Sequence, residues 1–331
     1  MKASKENLRL QKIITLIAIL LFIVKSVAAF ITGSLAILTD ALESIVNVVA
    51  GALGLYSLYV SAKPKDTDHP YGHGKVEFIS AAVEGTLIIV AGFFIIYEAI
   101  ENFIHPHTIA KLDFGILLIS FTAIINYIAG TVCVNTGKRN NSLQLIAGGK
   151  HLKTDTYSTI GIVAGLLLIY FTKLEFIDSI IACIVAIIII FTGYNIARTS
   201  IAGIMDEADM KLLKNIVALL NKNRSENWID LHNLRIIKYG STLHCDCHLT
   251  VPWYLNVYEA HAEIDALALL IRNEFGESLE LFVHSDGCQE YSCKICAKQN
   301  CLVRKHPFEK RITWTITNIS KDSKHTIFSE R

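Results

Sequence analysis

His151 and Asp155, in the stretch HLKTD, lie four residues apart just before the apolar run TYSTIGIVAGLLLIYF. Asp40, Glu43 and Asn47, in LTDALESIVNVVAG, fall at i, i+3 and i+7 of a second apolar run, which puts them on one helical face. An ionisable side chain in a membrane span is costly and normally has a partner or a task. Two helices with polar faces in lipid should therefore turn them toward each other or toward a water-filled cavity. Glu43, Asn47, His151 and Asp155 together offer up to four nitrogen and oxygen ligands, enough to hold a tetrahedral divalent cation. A single polar residue there would read as a hydrogen-bonded tie between helices. Two acids, an amide and a histidine read as a cation site.

Three further groups could hold metal. KDTDHPYGHGK offers Asp66, Asp68, His69 and His73, with Pro70 and Gly72 shaping a turn; its plain alternative is a solvated loop. His232, His248, His261, His284 and Asp286 are ligand types spread over segments with strand and helix patterns. Such histidines are usually surface residues, but five ligand types converging on one sheet end would form a site. CQEYSCKICAKQNC spaces Cys288, Cys293, Cys296 and Cys301 as C-x4-C-x2-C-x4-C. Four thiolates so close suit a tetrahedral zinc site. The start of the run also resembles the spacing of one iron–sulfur cluster type, and free reduced thiols are the third possibility.

The elements that must position these groups follow from composition. The 331 residues are 52% hydrophobic and 18% charged, where a soluble protein carries about 25% charge. Net charge is +1, so no basic surplus points to nucleic acid. The apolar residues concentrate in 13–200, with six stretches near 12–32, 35–61, 78–103, 113–136, 152–172 and 175–198. Each approaches the roughly 20 residues that cross a bilayer. The first is too long, and lacks the small-residue cleavage site, for a signal peptide. Lys2, Lys5, Arg9 and Lys12, then Lys63, Lys65 and Lys75, then Lys138 and Arg139 crowd one set of loops, against Lys111 and Lys173 in the other. The positive-inside rule then puts both termini in the cytoplasm, with the plasma (inner) membrane as the expected location. The thiols beyond the spans sit on a reducing side, which disfavours disulfides. Cys133 and Cys183 fall within spans as packing residues.

From 203 onward the pattern is that of a small soluble domain. EADMKLLKNIVALLNK has helical apolar spacing; DLHNLRIIKYG and STLHCDCHLTV alternate like strands joined by a turn at Gly240-Ser241. VYEAHAEIDALALLIRNEF reads as a helix and SLELFVHSD as a strand. The expected fold is a six-helix all-α membrane domain (1–202), then a compact α-β-β-α-β, metallochaperone-like α+β domain (203–287) and a cysteine-containing polar tail (288–331). No Gly-rich phosphate loop or nucleophile elbow appears, so neither ATP-driven transport nor enzyme activity is expected.

SLAILTDALES, DHPYGHGKVE and HLKTD together resemble the cation diffusion facilitator family of divalent-metal/proton antiporters, over about residues 12–286. The resemblance implies a transport site of Glu43, Asn47, His151 and Asp155, with Asp40 an accessory acid at most. It implies a weaker loop site of Asp66, His69 and His73, with Lys75 and Glu77 pairing around the third span. It also implies a soluble domain that dimerises around a binuclear metal site of His232, His248, His261, His284 and Asp286. Zinc members usually carry Asp or His, then Asp, in the second span. Glu43 and Asn47 depart from that: imidazole favours zinc, while an oxygen-rich set tolerates manganese or iron(II), with cobalt and cadmium also open. The expected function is export of a divalent cation, zinc first, in exchange for protons by a homodimer. The competing classes are a membrane-bound sensor or redox protein using the cysteine tail, and a metal-dependent membrane hydrolase for which no general base stands out.

Overall fold

The computed structural model describes residues 2–104, 112–172, 176–239, 242–276 and 279–327. The expected turn at Gly240-Ser241, and Lys111 and Lys173 of the charge asymmetry, lie outside the described residues. The chain divides into two compact units, Met1–Met205 and Asp206–Arg331.

The first unit has six long helices: α1 (Lys2–Thr32), α2 (Leu35–Ser61), α3 (Val76–Ile104), α4 (Leu112–Arg139), α5 (Leu143–Thr172) and α6 (Phe176–Ile204). All six are long and apolar enough to cross a membrane. Gly33, at φ 63°, makes the tight turn into α2, whose first turn is capped by the Ser34 side chain accepting from the Ile37 N–H. The most extensive pairings are α3 with α6, α4 with α5, and α1 with α2. Glycine permits the first two. A Cβ on Gly85 of α3 would lie 2.7 Å from the Gly193 oxygen of α6, and one on Gly149 of α5 would lie 2.8 Å from the Gly130 oxygen of α4. In lipid, where the hydrophobic effect does not drive helices together, this backbone approach is a main source of packing energy.

One boundary differs from the sequence reading. The apolar run suggests that the fifth span opens at 152, but α5 starts at Leu143, so His151 lies over two turns inside the helix. The stretch LQLIAGG is helical and largely buried because Gly149 lets it lie against α4. Its modest hydropathy hid that.

The second unit has α7 (Met210–Lys222), β1 (Asp230–Tyr239), β2 (Thr242–Val251), α8 (Val257–Phe275) and β3 (Leu279–Gly287), the expected α-β-β-α-β order. Asp209 caps α7 by accepting from the Lys211 and Leu212 N–H groups, and Asn256 with Glu259 forms a capping box on α8. β2 is central, antiparallel to β1 and parallel to β3. Leu243, Cys245, Cys247 and Leu249 of β2 join Ile216 and Leu220 of α7 and Leu267 and Ile271 of α8 in one core. Side chains alternate across a strand, so His244, Asp246, His248 and Thr250 occupy the other face. Burial pushes the thiols of Cys245 and Cys247 up, the latter to about 12, as suits packing residues.

The supposed polar tail is packed against this domain. Trp314 and Ile319 are 1% and 0% exposed and belong to its core, the latter at the end of the one-turn helix α9 (Ile316–Ile319). Asn221 of α7 donates to the Trp314 carbonyl at 2.7 Å and accepts its N–H at 3.1 Å. The Arg224 guanidinium stacks 3.8 Å above the indole. Isolated apolar residues in a polar stretch have no periodicity, so their burial could not be read from hydropathy.

Candidate functional site

Asp40, Glu43 and Asn47 on α2 and His151 and Asp155 on α5 are all buried, His151 and Asp155 at 2% and 0% exposure. Glu43, His151 and Asp155 each bring a ligand atom within 4.8 Å of the others. The Asn47 Nδ2 donates to Asp155 Oδ2 at 2.5 Å, so the amide belongs to the same cluster. His151 Nδ1 stands 3.4 Å from Asp155 Oδ1. Glu43 Oε1, Asn47 Oδ1, Asp155 Oδ1 and both His151 nitrogens are buried without a hydrogen-bond partner. Buried polar atoms are nearly always satisfied, so such a concentration of free lone pairs at one point fits a cation. The donor set, one nitrogen with two carboxylates and an amide oxygen, suits a divalent ion.

Asp40 does something else. Its Oδ1 accepts from Lys25 Nζ of α1 at 2.9 Å and from the Thr159 hydroxyl of α5 at 3.1 Å. Sequence reasoning missed Lys25, although a lysine inside the first apolar run was a signal in plain view. It also missed Glu84 of α3, which is buried and accepts from Gln144 Nε2 at 3.1 Å. Glu84 and Gln144 line a small cavity beside Asn47 and His151, together with Gln11 and Gly51. Gln144 lies at the start of α5 and Gln11 between two and three turns into α1, so the cavity runs from His151 toward the helix ends that carry the N-terminus. At those ends Glu77 turns inward, accepting from Ser61 and Ser142 at 2.9 and 2.7 Å, and so ties α2 and α3 to the start of α5.

In the α2–α3 loop, Asp66, His69 and His73 form a second close group; Asp68 is not part of it. Asp66 Oδ1 accepts from the His69 N–H at 2.7 Å, and Oδ2 lies 3.2 Å from His73 Nε2. The His69 backbone N–H, then its side chain, hold the Asp66 carboxyl below its usual range, ready as an anionic ligand.

A third group sits on the outer face of the sheet, and the register explains it. His232 pairs with His248, and His248 with His284, so one row of histidines crosses three strands. Asp230, Thr250 and Asp286 make the neighbouring row. Asp286 Oδ2 lies 3.6 Å from His232 Nε2 and 3.5 Å from His248 Nδ1, and those three residues form the close group. The other His232 nitrogen faces Asp230 Oδ2 at 3.7 Å, where a carboxylate can orient a metal-bound imidazole. Burial pushes the His232 imidazole below its usual value despite both acids, favouring the neutral form that ligates metal. His284 adjoins at 3.6 Å from Asp286 Oδ1 but is 65% exposed. His261 is not brought to this group within the chain. It lies on α8, beside Asp265 at 3.7 Å and 68% exposed, and α8 packs on the opposite face of the sheet.

Cys288, Cys293, Cys296 and Cys301 are held near one another without forming a close ligand group of the kind above among the described residues. Burial, then the neighbouring thiols, push Cys288 up. Arg304 organises the segment instead, donating to the carbonyls of Cys293 and Cys296 at 3.0 and 3.1 Å, and Cys296 packs with Ile229 and Ile295.

The sequence model described as the cation efflux transmembrane domain matches residues 12–205. The one described as the cation efflux protein cytoplasmic domain matches 208–288. The chain belongs to the cation efflux family. An uncharacterized transporter of Synechocystis sp. is 31% identical over 241 residues, covering 73% of this chain and 78% of that protein. The manganese efflux system protein MneP of Bacillus subtilis is 27% identical, covering 86% of this chain and 98% of that one. The cadmium, cobalt and zinc/H(+)-K(+) antiporter of the same species is 26% identical, covering 72% and 76%. This cation efflux protein is thus a multi-pass membrane transporter for divalent metal cations, with six apolar helices and a small cytoplasmic mixed-sheet domain.

Proposed function

We propose that the protein exports a divalent cation, zinc first, from the cytoplasm in exchange for protons, as a homodimer in the plasma membrane with both termini inside. The observation that carries this is the Glu43–His151–Asp155 group with its buried, unpartnered lone pairs. Metal and protons compete for those lone pairs, and that competition couples the two fluxes. Asn47 holds Asp155 by one carboxylate oxygen and keeps its own amide oxygen free for the ion. The cavity beside Asn47 and His151 supports an inward-facing state, in which the site loads from the side of the N-terminus. Rocking of α2 and α5 against the remaining helices would then expose it to the other side. The cytoplasmic-domain match supports dimerisation, and the His232–His248–Asp286 group supports a separate metal site on the sheet face.

Manganese is the second reading, because Glu43, Asn47 and Asp155 can all present oxygen, the donor that harder ions take. A relative of similar extent is a manganese efflux protein. Uptake into proteoliposomes under a pH gradient, comparing zinc, manganese, iron(II) and cobalt, separates the two. Zinc-dependent proton movement supports the first reading, and transport of manganese without zinc replaces it by the second.

A further inference from the structure

The sheet-face metal group is flanked by a piece of chain that lies beyond the matched cytoplasmic domain, which ends at residue 288. Residues 321–327 run along the edge strand β1. They are anchored before this stretch by fully buried Ile319 and at its end by Ile327, which packs with Ile229, Ile295 and Cys296. Strand β1 is built to receive them. Its register slips between His232 and Arg235, where Asn233 adopts φ 54°, and the Asn233 N–H donates to the Lys321 carbonyl at 2.7 Å. A bulge of this kind frees a main-chain group from the ladder, and here the strap takes it.

The next residues reach the two acids that flank His232. The His325 N–H donates to Asp230 Oδ2 at 2.9 Å, and its Nδ1 lies 2.5 Å from Asp230 Oδ1. Lys324 Nζ stands 3.4 Å from Asp286 Oδ1. The carboxylate that meets His232 and His248 through Oδ2 therefore already holds a cation through Oδ1.

We propose that Lys324 is a tethered counter-cation of the sheet-face metal site, so that a divalent ion bound by His232, His248 and Asp286 must displace it and the strap sets the threshold for metal there. The inference rests on reading those three residues as a metal site. Two positive groups on opposite oxygens of one carboxylate repel, and the partly buried sheet face screens them less than bulk water does. The ammonium is the one that can leave, because it sits on a flexible stem between two apolar anchors. Such coupling is reciprocal: the factor by which Lys324 weakens metal binding is the factor by which metal weakens the Lys324 contact.

The test uses the full-length protein carrying Asp155→Ala, His73→Ala, Cys293→Ser and Cys301→Ser, so that the other candidate metal groups are disabled and zinc titration reports the sheet site. Lys324→Gln should tighten zinc binding by about five- to tenfold, in the lower range of site–site coupling. Lys324→Arg, which keeps the charge, should stay near the parent. In the parent, zinc saturation should raise acetylation of the Lys324 amine by acetic anhydride relative to exposed Lys305, read by mass spectrometry. Unchanged or weaker zinc binding in Lys324→Gln, with Lys324 labelling indifferent to zinc, would overturn the inference while leaving the metal site intact. If His232→Ala has no effect on zinc binding, the metal-site reading fails and the inference falls with it.

Discussion

At the scale of residues, buried lone pairs without partners make the membrane site. Loss of either strong ligand should be severe. His151→Ala and Asp155→Ala are each expected to weaken zinc binding at the buried site by roughly 100-fold or more, since even the outer partners of metal ligands are worth about 10–100-fold. Calorimetric titration of the purified variants checks this, and elution at the parent's volume on size-exclusion chromatography shows that only the site was lost. Asn47→Asp adds a charged ligand and should raise zinc affinity and shift its pH dependence; an unchanged metal profile would remove Asn47 from the site. On the sheet face, His232 gives a pH signature. Its imidazole is held below 6.5 chiefly by burial, so the folded state favours the neutral form. That contribution is complete above pH 6.5 and is lost as pH falls through the folded value, because the unfolded chain takes the proton first. Hydrogen bonds from His325 outweigh burial and hold Asp230 below 3.8, so its contribution persists until more acid conditions. All 3 tryptophans, Trp228, Trp253 and Trp314, lie in this unit. Their fluorescence in the full-length protein should therefore show a urea midpoint that falls between pH 7 and pH 5.5, and a flat midpoint would contradict the assignment.

At the scale of elements, the quartet was legible because spacing on a helix is geometry: i, i+3 and i+7 on α2 and i, i+4 on α5 fix which side chains share a face. What faces what depends on packing. That is why Lys25 escaped notice as the partner of Asp40, and why the start of α5 was set at the hydropathy step instead of at Leu143. The Lys25–Asp40 pair ties α1 to α2, and removing one buried partner leaves an uncompensated charge. Lys25→Met should cost about 3–5 kcal/mol, and the double variant with Asp40→Leu should recover much of it, since apolar replacement of a whole buried pair is often neutral. Thermal unfolding in detergent reads both. The glycines of α5 supply an internal contrast. On Gly149 a Cβ would meet Cys133 at 2.7 Å and two main-chain atoms at 2.8 Å, whereas on Gly161 the nearest atom is Val185 Cγ2 at 3.6 Å. Gly149→Ala should therefore destabilise by about 1–3 kcal/mol and disturb His151 two residues on. Gly161→Ala should be neutral or stabilising, because alanine gains about 1 kcal/mol in helix propensity. Equal behaviour of the two would mean that the α4–α5 approach does not set the site.

At the scale of the whole molecule, two units with separate cores carry separate metal groups. The division was plain in the sequence, because the fall in hydropathy after residue 200 marks a change of solvent. The fate of residues 288–331 was not plain, because Trp314 and Ile319 are apolar residues in a polar stretch and only the folded domain offers them a cleft. Trp314→Ala should cost the soluble unit about 3–5 kcal/mol, measured by urea unfolding of the full-length protein through Trp228 and Trp253; a negligible loss would restore the idea of a detached tail. The histidine row was half legible. Alternation put His248 and His284 on strands, but only the register aligns them with His232 and leaves His261 behind on α8. For the membrane unit, zinc-driven proton movement can be measured outright. Purified protein in proteoliposomes with a trapped pH dye is given zinc. The account requires zinc-dependent proton movement in the parent protein and none in Asp155→Ala incorporated at equal density. Equal proton movement in the two would contradict it.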